Sequence, residues 1–162
     1  MARAWPVIGL KPGASVAHNG RLIITTRVLE ALHYECLARE PANVRGLHDM
    51  RIAVKRLRYS MEFFSRCFGG GFRQCLDGLK ALQELLGDIH DADVLIAYLT
   101  AQLAKADARH AVGVRALRDR TQSRRQDLHR ALLAEFDRLR DENTWQALLA
   151  SLWRPGPMAE RR

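Results

Sequence analysis

The stretch LHDMRIAVKRLRYSMEFF, residues 47–64, decides how the rest of the chain is read. Leu47, Met50, Val54, Leu57, Met61 and Phe64 recur at steps of three and four residues, which puts one continuous apolar stripe on an α-helix. His48, Arg51, Lys55 and Arg58 repeat those steps one position later. One residue is about 100° of helical turn, so the basic row runs directly beside the apolar one. Cations placed there sit at the edge of the core, on the lip of a groove or cavity, rather than on the far solvated face. From His48 to Arg58 the row is about 15 Å long at 1.5 Å per residue, which suits an extended polyanion better than one small phosphate. The competing account is ordinary surface pairing, in which long basic side chains snorkel outward and meet acids. Glu84, Asp88, Asp91 and Asp93 are available for that, in a stretch, 81–104, without Lys or Arg.

Working outward, apolar residues recur at helical spacing from Leu22 to about Ala38, and Pro41 stops the run. Asn43 stands where an N-cap belongs. The triple glycine Gly69 to Gly71 is the expected end of the quoted helix. A third pattern, from Phe72 through Leu76, Leu79, Leu82, Leu86, Ile89, Ile96 and Leu99 to Leu103, keeps phase across Gly87. That glycine is read as a kink costing about 1 kcal/mol relative to Ala, not a stop. A fourth segment, Asp107 to about Arg140, contains no Pro, and a short amphipathic piece with Trp145, Leu148, Leu149 and Leu152 follows. No strand-like alternation occurs anywhere. The expected fold is all-α: an antiparallel bundle of about four long helices plus a short C-terminal helix. Residues 1–20, rich in Gly and Pro, are expected as an extended arm, 21–153 as the helical domain and 154–162 as a flexible basic tail.

Charge narrows the partner. The chain carries 26 Lys plus Arg against 18 Asp plus Glu, a formal +8 over 162 residues, which points to a polyanion: nucleic acid, anionic membrane or phosphate polymer. Only four of those bases are Lys, and guanidinium forks onto phosphate oxygens better than ammonium does; a GC-rich genome would also enrich Arg. A second basic row, Arg115, Arg118, Gln122, Arg125 and His129, steps along the fourth segment. Arg124 and Arg125 break its apolar stripe of Val114, Leu117, Leu128, Leu132 and Phe136, which requires solvent or an anion at that level, or a helix projecting past the core. Three cysteines without framework spacing and no signal-peptide core predict a cytoplasmic protein with reduced thiols. No apolar window is long enough to span a membrane.

Through LHDMRIAVKRLRYSMEFF and the later LKALQELLGDIHDADVL, the sequence resembles the CHAD family, the conserved histidine α-helical domain. His48, Arg51, Lys55, Arg56, Leu57, Arg58 and Tyr59 match the family's basic helix, and Leu86, Gly87, Asp91 and Asp93 its Leu-Gly and acidic motif. PVIGLKPGASV and the helix of Gly113 fit more loosely. The resemblance implies an all-helical fold whose basic residues line a cavity that binds inorganic polyphosphate, with localisation at polyphosphate granules. It carries over His48, Arg51, Lys55 and Arg58 as ligand contacts, and Arg56 although that residue leaves the stripe. CHAD domains generally hold two copies of a helical repeat facing each other, whereas here the basic motif occurs once, as a single CHAD-type repeat. Micromolar affinity needs about 8 kcal/mol, and partly exposed ion pairs give up to about 1 kcal/mol each, so one row of four falls short. Arg118 and Arg125 of the fourth helix, or a homodimer with facing stripes, are expected to make up the difference, with Asp88, Asp91 and Asp93 as orienting acids.

Other chemistries fit less well. A metal site would need His48 to meet His90 and Asp91 or Asp93, and none is assigned. CFGGGFRQC lacks the spacing of a phosphate-cradling loop and reads as a turn, its cysteines as small hydrophobes. His33, His110 and His129 read as surface or cap histidines. Phosphoryl transfer through His48 would need Mg²⁺ ligands that only Asp88, Asp91 and Asp93 could supply, so no catalysis and no cofactor are expected. An RNA-binding module, or a metal-dependent phosphohydrolase accessory protein, is the alternative. RNA recognition usually brings aromatic side chains among the cations, and here only Tyr59 lies near them, read as a helix-packing residue.

Overall fold

The computed structural model describes residues 3–68 and 71–153. The order is α1 (Val16–Ala38), α2 (Val44–Phe64), α3 (Gly71–Leu103), α4 (Ala108–Asp141) and the short α5 (Thr144–Ser151), with a 3-10 turn at Ser65–Cys67. No strand occurs among the described residues, and the fold is the all-α bundle that the periodicities require.

Side-chain caps decide where three helices start. The Ser15 hydroxyl accepts from the His18 N–H, Asn43 from Gly46 and Asp107 from His110. Each satisfies a donor that the first helical turn leaves orphaned, worth about 1 kcal/mol. Ser15 opens α1 at Val16, ahead of the apolar period that begins at Leu22, because a cap can start a helix whose first turn has no buried stripe. α2 ends at Phe64, earlier than the glycines; Gly69 and Gly70, and the 154–162 tail, lie outside the described residues. α3 runs unbroken through Gly87. The turn into α5 places Asn143 at φ 53°, the left-handed conformation that Asn tolerates best after Gly.

Successive helices pack antiparallel, as cross-helix contacts show. Gly20 and Glu30 on α1 meet Phe64 and Arg56 on α2. Arg58 and His48 on α2 meet Gln83 and His90 on α3. Gly78 and Asp93 on α3 meet Leu139 and Arg125 on α4. At Gly20 a Cβ would stand 2.8 Å from the Phe64 ring, so glycine permits that close crossing. The core runs through all five helices: Ile24, Met50, Leu57, Met61, Leu79, Leu82, Leu86, Ile89, Leu132, Phe136 and Leu148 are fully buried. Cys75 is buried with them, and burial pushes its thiol up, so it behaves as a small hydrophobe.

The far ends of α1 and α4 are tied by charge. Arg39 donates to Glu35 and Asp137, and Arg140 reaches Glu35. The hydrogen bond from Arg39 holds the Asp137 carboxyl below the usual carboxylate range. Of the surface and cap roles that its sequence context suggests, His129 takes the cap, for the end of α1. It is buried, its Nε2 2.9 Å from the Ala38 carbonyl, one of the last carbonyls of α1. None of the described helices is long and apolar enough to cross a membrane.

Candidate functional site: a basic seam between two helices

His48, Arg51, Lys55 and Arg58 are all half-buried on the edge of α2. Both ends of the row touch α3: the His48 and His90 rings are 5.2 Å apart, and Arg58 Nε donates to Gln83 at 2.6 Å. The row therefore lies along the seam of two antiparallel helices. Gln83, Gly87 and His90 are spaced four and three residues apart and share one face of α3. A Cβ at Gly87 would meet nothing within 4 Å, so the seam is open between its two bridged ends. Arg51 and Lys55 lie along that open part.

The seam cations differ in how far the protein's own groups satisfy them. No hydrogen bond or ion pair with another described residue engages Arg51. Lys55 has its ammonium 5.7 Å from the Tyr59 ring centroid and no carboxylate partner among the described residues. Arg58 is held by Gln83 and by Glu62 at 2.7 Å, and its guanidinium stacks 4.6 Å above Tyr59. Tyr59 is 49% exposed, so it is not the helix-packing residue its position suggests. It is a π-face on which two of the cations rest, an arrangement worth about 0.5–1 kcal/mol at such exposure.

The remaining candidates lie elsewhere. Arg56 points to the opposite side of α2, where it binds the fully buried Glu30 at 2.8 Å. Glu30 also accepts from Arg27, whose other nitrogen reaches the Trp5 carbonyl. Arg118 is paired with its neighbour Asp119. Arg125 is 8% exposed and donates through Nε to Asp93 at 2.6 Å, so the anion demanded where arginine interrupts the α4 stripe is the protein's own carboxylate. Arg124 stays exposed, 3.8 Å from Asp88, and Asp91 is exposed. The N-terminal half of α4 reaches past the core, with Val112 and Leu117 exposed. A cavity of about 680 Å³ lies against Asp93, Arg125, His129 and Val44, beyond the His48–His90 end of the seam.

Three features of the site and its supporting helices escape a reading by stripes. Glu30 and Arg27 sit three residues apart on α1 among Ile24, Val28 and Ala31, so a charged pair inside an apolar period is the available signal. His90 can be found from the shared face of Gln83, Gly87 and His90. Tyr59 gives none, since a tyrosine beside a stripe packs or stacks with equal ease. His48 and His90 do meet, but among the described residues no group of three or more His, Cys, Asp or Glu side chains is arranged to hold a metal ion.

These features define a class of protein: an all-helical module that presents unneutralised cations along the seam of two antiparallel helices. The family model of the CHAD domain matches residues 24–100, which span most of α1, all of α2 and nearly all of α3. That matched stretch, which is similar to the CHAD domain family, holds the whole seam; α4, with Arg118 and Arg125, lies outside it. Comparison with curated proteins and with solved structures gave no match.

Proposed function

We propose that this protein binds inorganic polyphosphate along the α2–α3 seam, without chemistry on the polymer. The observation that carries the reading is that Arg51 and Lys55, half-buried at the lip of the opening over Gly87, have no carboxylate among the described residues to neutralise them. Leaving charges desolvated and unpaired costs stability and is hard to account for unless an anion completes them. Four cations in a row about 15 Å long meet a repeating phosphate chain at several points at once. The family similarity supports the same ligand class and is compatible with a place at polyphosphate granules.

One seam supplies too little for micromolar binding, and the two α4 cations expected to join it, Arg118 and Arg125, are paired with Asp119 and Asp93. A second copy facing the first across the polymer is therefore the favoured supplement, and light scattering on the bound sample should read two chains per complex. The test of the reading is a titration with polyphosphate of defined lengths at stepped salt, with sulfate and RNA as controls. Affinity is expected to fall steeply and linearly on a log–log plot, because binding releases the polymer's condensed counterions. Polyphosphate should displace labelled RNA at much lower phosphate concentration. Equal competition by both would favour the RNA-binding alternative, for which the exposed Tyr59 face is the one supporting feature.

Gly87 offers an independent check of where the polymer lies. Gly87→Ala adds a methyl group to open space within a helix, so it should stabilise the fold by about 1 kcal/mol. Gly87→Leu should keep that stability in a urea melt yet weaken polyphosphate binding several-fold by filling the opening. Undiminished binding by the Leu variant would move the polymer off this seam.

A further inference from the structure

The two ends of the seam are bridged differently. At one end an arginine meets a glutamine; at the other, two imidazoles from opposite walls face each other, His48 from α2 and His90 from α3, with ring centroids 5.2 Å apart and planes at 47°. Both rings are half-buried, and no hydrogen bond from another described residue engages either. Most of the surrounding carboxylates are committed elsewhere or exposed. On α2, Arg51 is one turn away without a partner among the described residues, and Asp49 stands 3.9 Å from the exposed Arg45, its Oδ1 buried and likewise without a hydrogen-bond partner among them. On α3, Asp93 is committed to Arg125, and Asp91 is exposed. On α4, the nearest groups, Arg125 and His129, are bonded to Asp93 and to the Ala38 carbonyl. α1 lies across α2 from the seam, with Glu30 held by Arg27 and Arg56.

In the empty protein, two protonated rings would be like charges about 5 Å apart beside Arg51, with no anion between them. Phosphoryl oxygens laid over the pair supply that anion. Each protonated ring then offers N–H donors to an anion, and the two positive charges are screened by the same phosphate. We propose that His90 is a ligand contact on the second wall of the seam, and that the His48–His90 pair takes up protons as the polyanion binds. The inference rests on the polyphosphate reading of the seam and adds its regulation: acidification tightens the grip.

The sign follows from linkage. Binding favours the protonated rings, so the added affinity is fully present in acid and is lost as pH rises through the bound-state titration. At constant salt, long-chain polyphosphate should bind about tenfold more tightly at pH 6 than at pH 8, a span that brackets the ordinary imidazole range. His48→Gln and His90→Gln should each keep about threefold of that dependence, and the double variant should be flat. Calorimetry in two buffers of different ionisation enthalpy should show net proton uptake in the wild type and none in the double variant. His90→Asn repeats the test with a shorter side chain, and a urea melt of each variant confirms folding. A His90 variant that keeps the full wild-type pH dependence and proton uptake overturns the role of the pair while leaving the polymer site standing. No binding of polyphosphate at any pH by the wild type removes the seam reading and this inference together.

Discussion

Replacing Arg51 and Lys55 together by Ala is expected to lower polyphosphate affinity about a hundredfold while leaving the helical content unchanged and the urea midpoint no lower. The separation of the two effects is what makes the variant informative. Several cations of this chain are also structural: Arg56 holds Glu30, Arg125 holds Asp93, and Arg58 joins α2 to Gln83. Removing any of these would mix lost binding with lost packing. Among the described residues Arg51 has no partner to leave behind, and Lys55 only the face of Tyr59, so truncating them orphans nothing. Each is half-buried, which lifts a phosphate contact above a fully exposed pair to about 1.4 kcal/mol, or tenfold. Two such contacts multiply to about a hundredfold. The salt dependence must change as well: a single-stranded polyanion loses about 0.7 in log–log slope per cation removed, so the slope should flatten by about 1.4. Weaker binding with an unchanged slope would mean that the two residues act on the site's shape and not on its charge.

The same helix divides what residue spacing can reveal from what it cannot. That α2 is a helix, and that its basic row adjoins the core, follows from spacing alone, since a helix fixes the angle between neighbouring positions. Its start at Asn43 is readable because capping is local chemistry. Which cations the protein keeps for itself is not readable. Arg51 and Arg58 stand seven residues apart on one face, yet only Arg58 meets a glutamine from α3 and a glutamate from its own helix. Lys55 and Arg56 are adjacent, and one step of about 100° sends the first to the Tyr59 face and the second across α2 to Glu30. Partner choice depends on the register of helices packed 25 or more residues away in sequence, and periodicity carries no information about that register. The same blindness hides the use of Asp93, which looks available to orient a ligand-binding cation and is bonded to Arg125. It also hides the burial of His129, which is fixed by where α1 happens to end.

Glu30→Gln should cost about 3–5 kcal/mol of folding stability. Glu30 is fully buried, and one carboxylate serves two guanidinium groups: Arg27 on its own helix and Arg56 across the α1–α2 contact. Neutralising it leaves Arg27, 8% exposed, inside the protein without its counter-charge, and breaking a buried ion pair from one side is costly because the survivor stays desolvated. With a slope of about 2 kcal/mol per molar urea for a domain of this size, the midpoint should fall by about 2 M. The cost comes from the uncompensated charge and not from the loss of a favourable bridge, so a second variant separates the two. Replacing all three residues by apolar ones of similar volume, Arg27→Met, Glu30→Leu and Arg56→Met, should recover most or all of the loss, as buried ionic triads generally allow. A triple variant as unstable as Glu30→Gln would show instead that the hydrogen bond from Arg27 to the Trp5 carbonyl, which the triple also removes, carries the stability. Either variant, assayed well below its unfolding midpoint, should bind polyphosphate within about threefold of wild type, because this network faces away from the seam and none of its three residues belongs to the seam's row of cations.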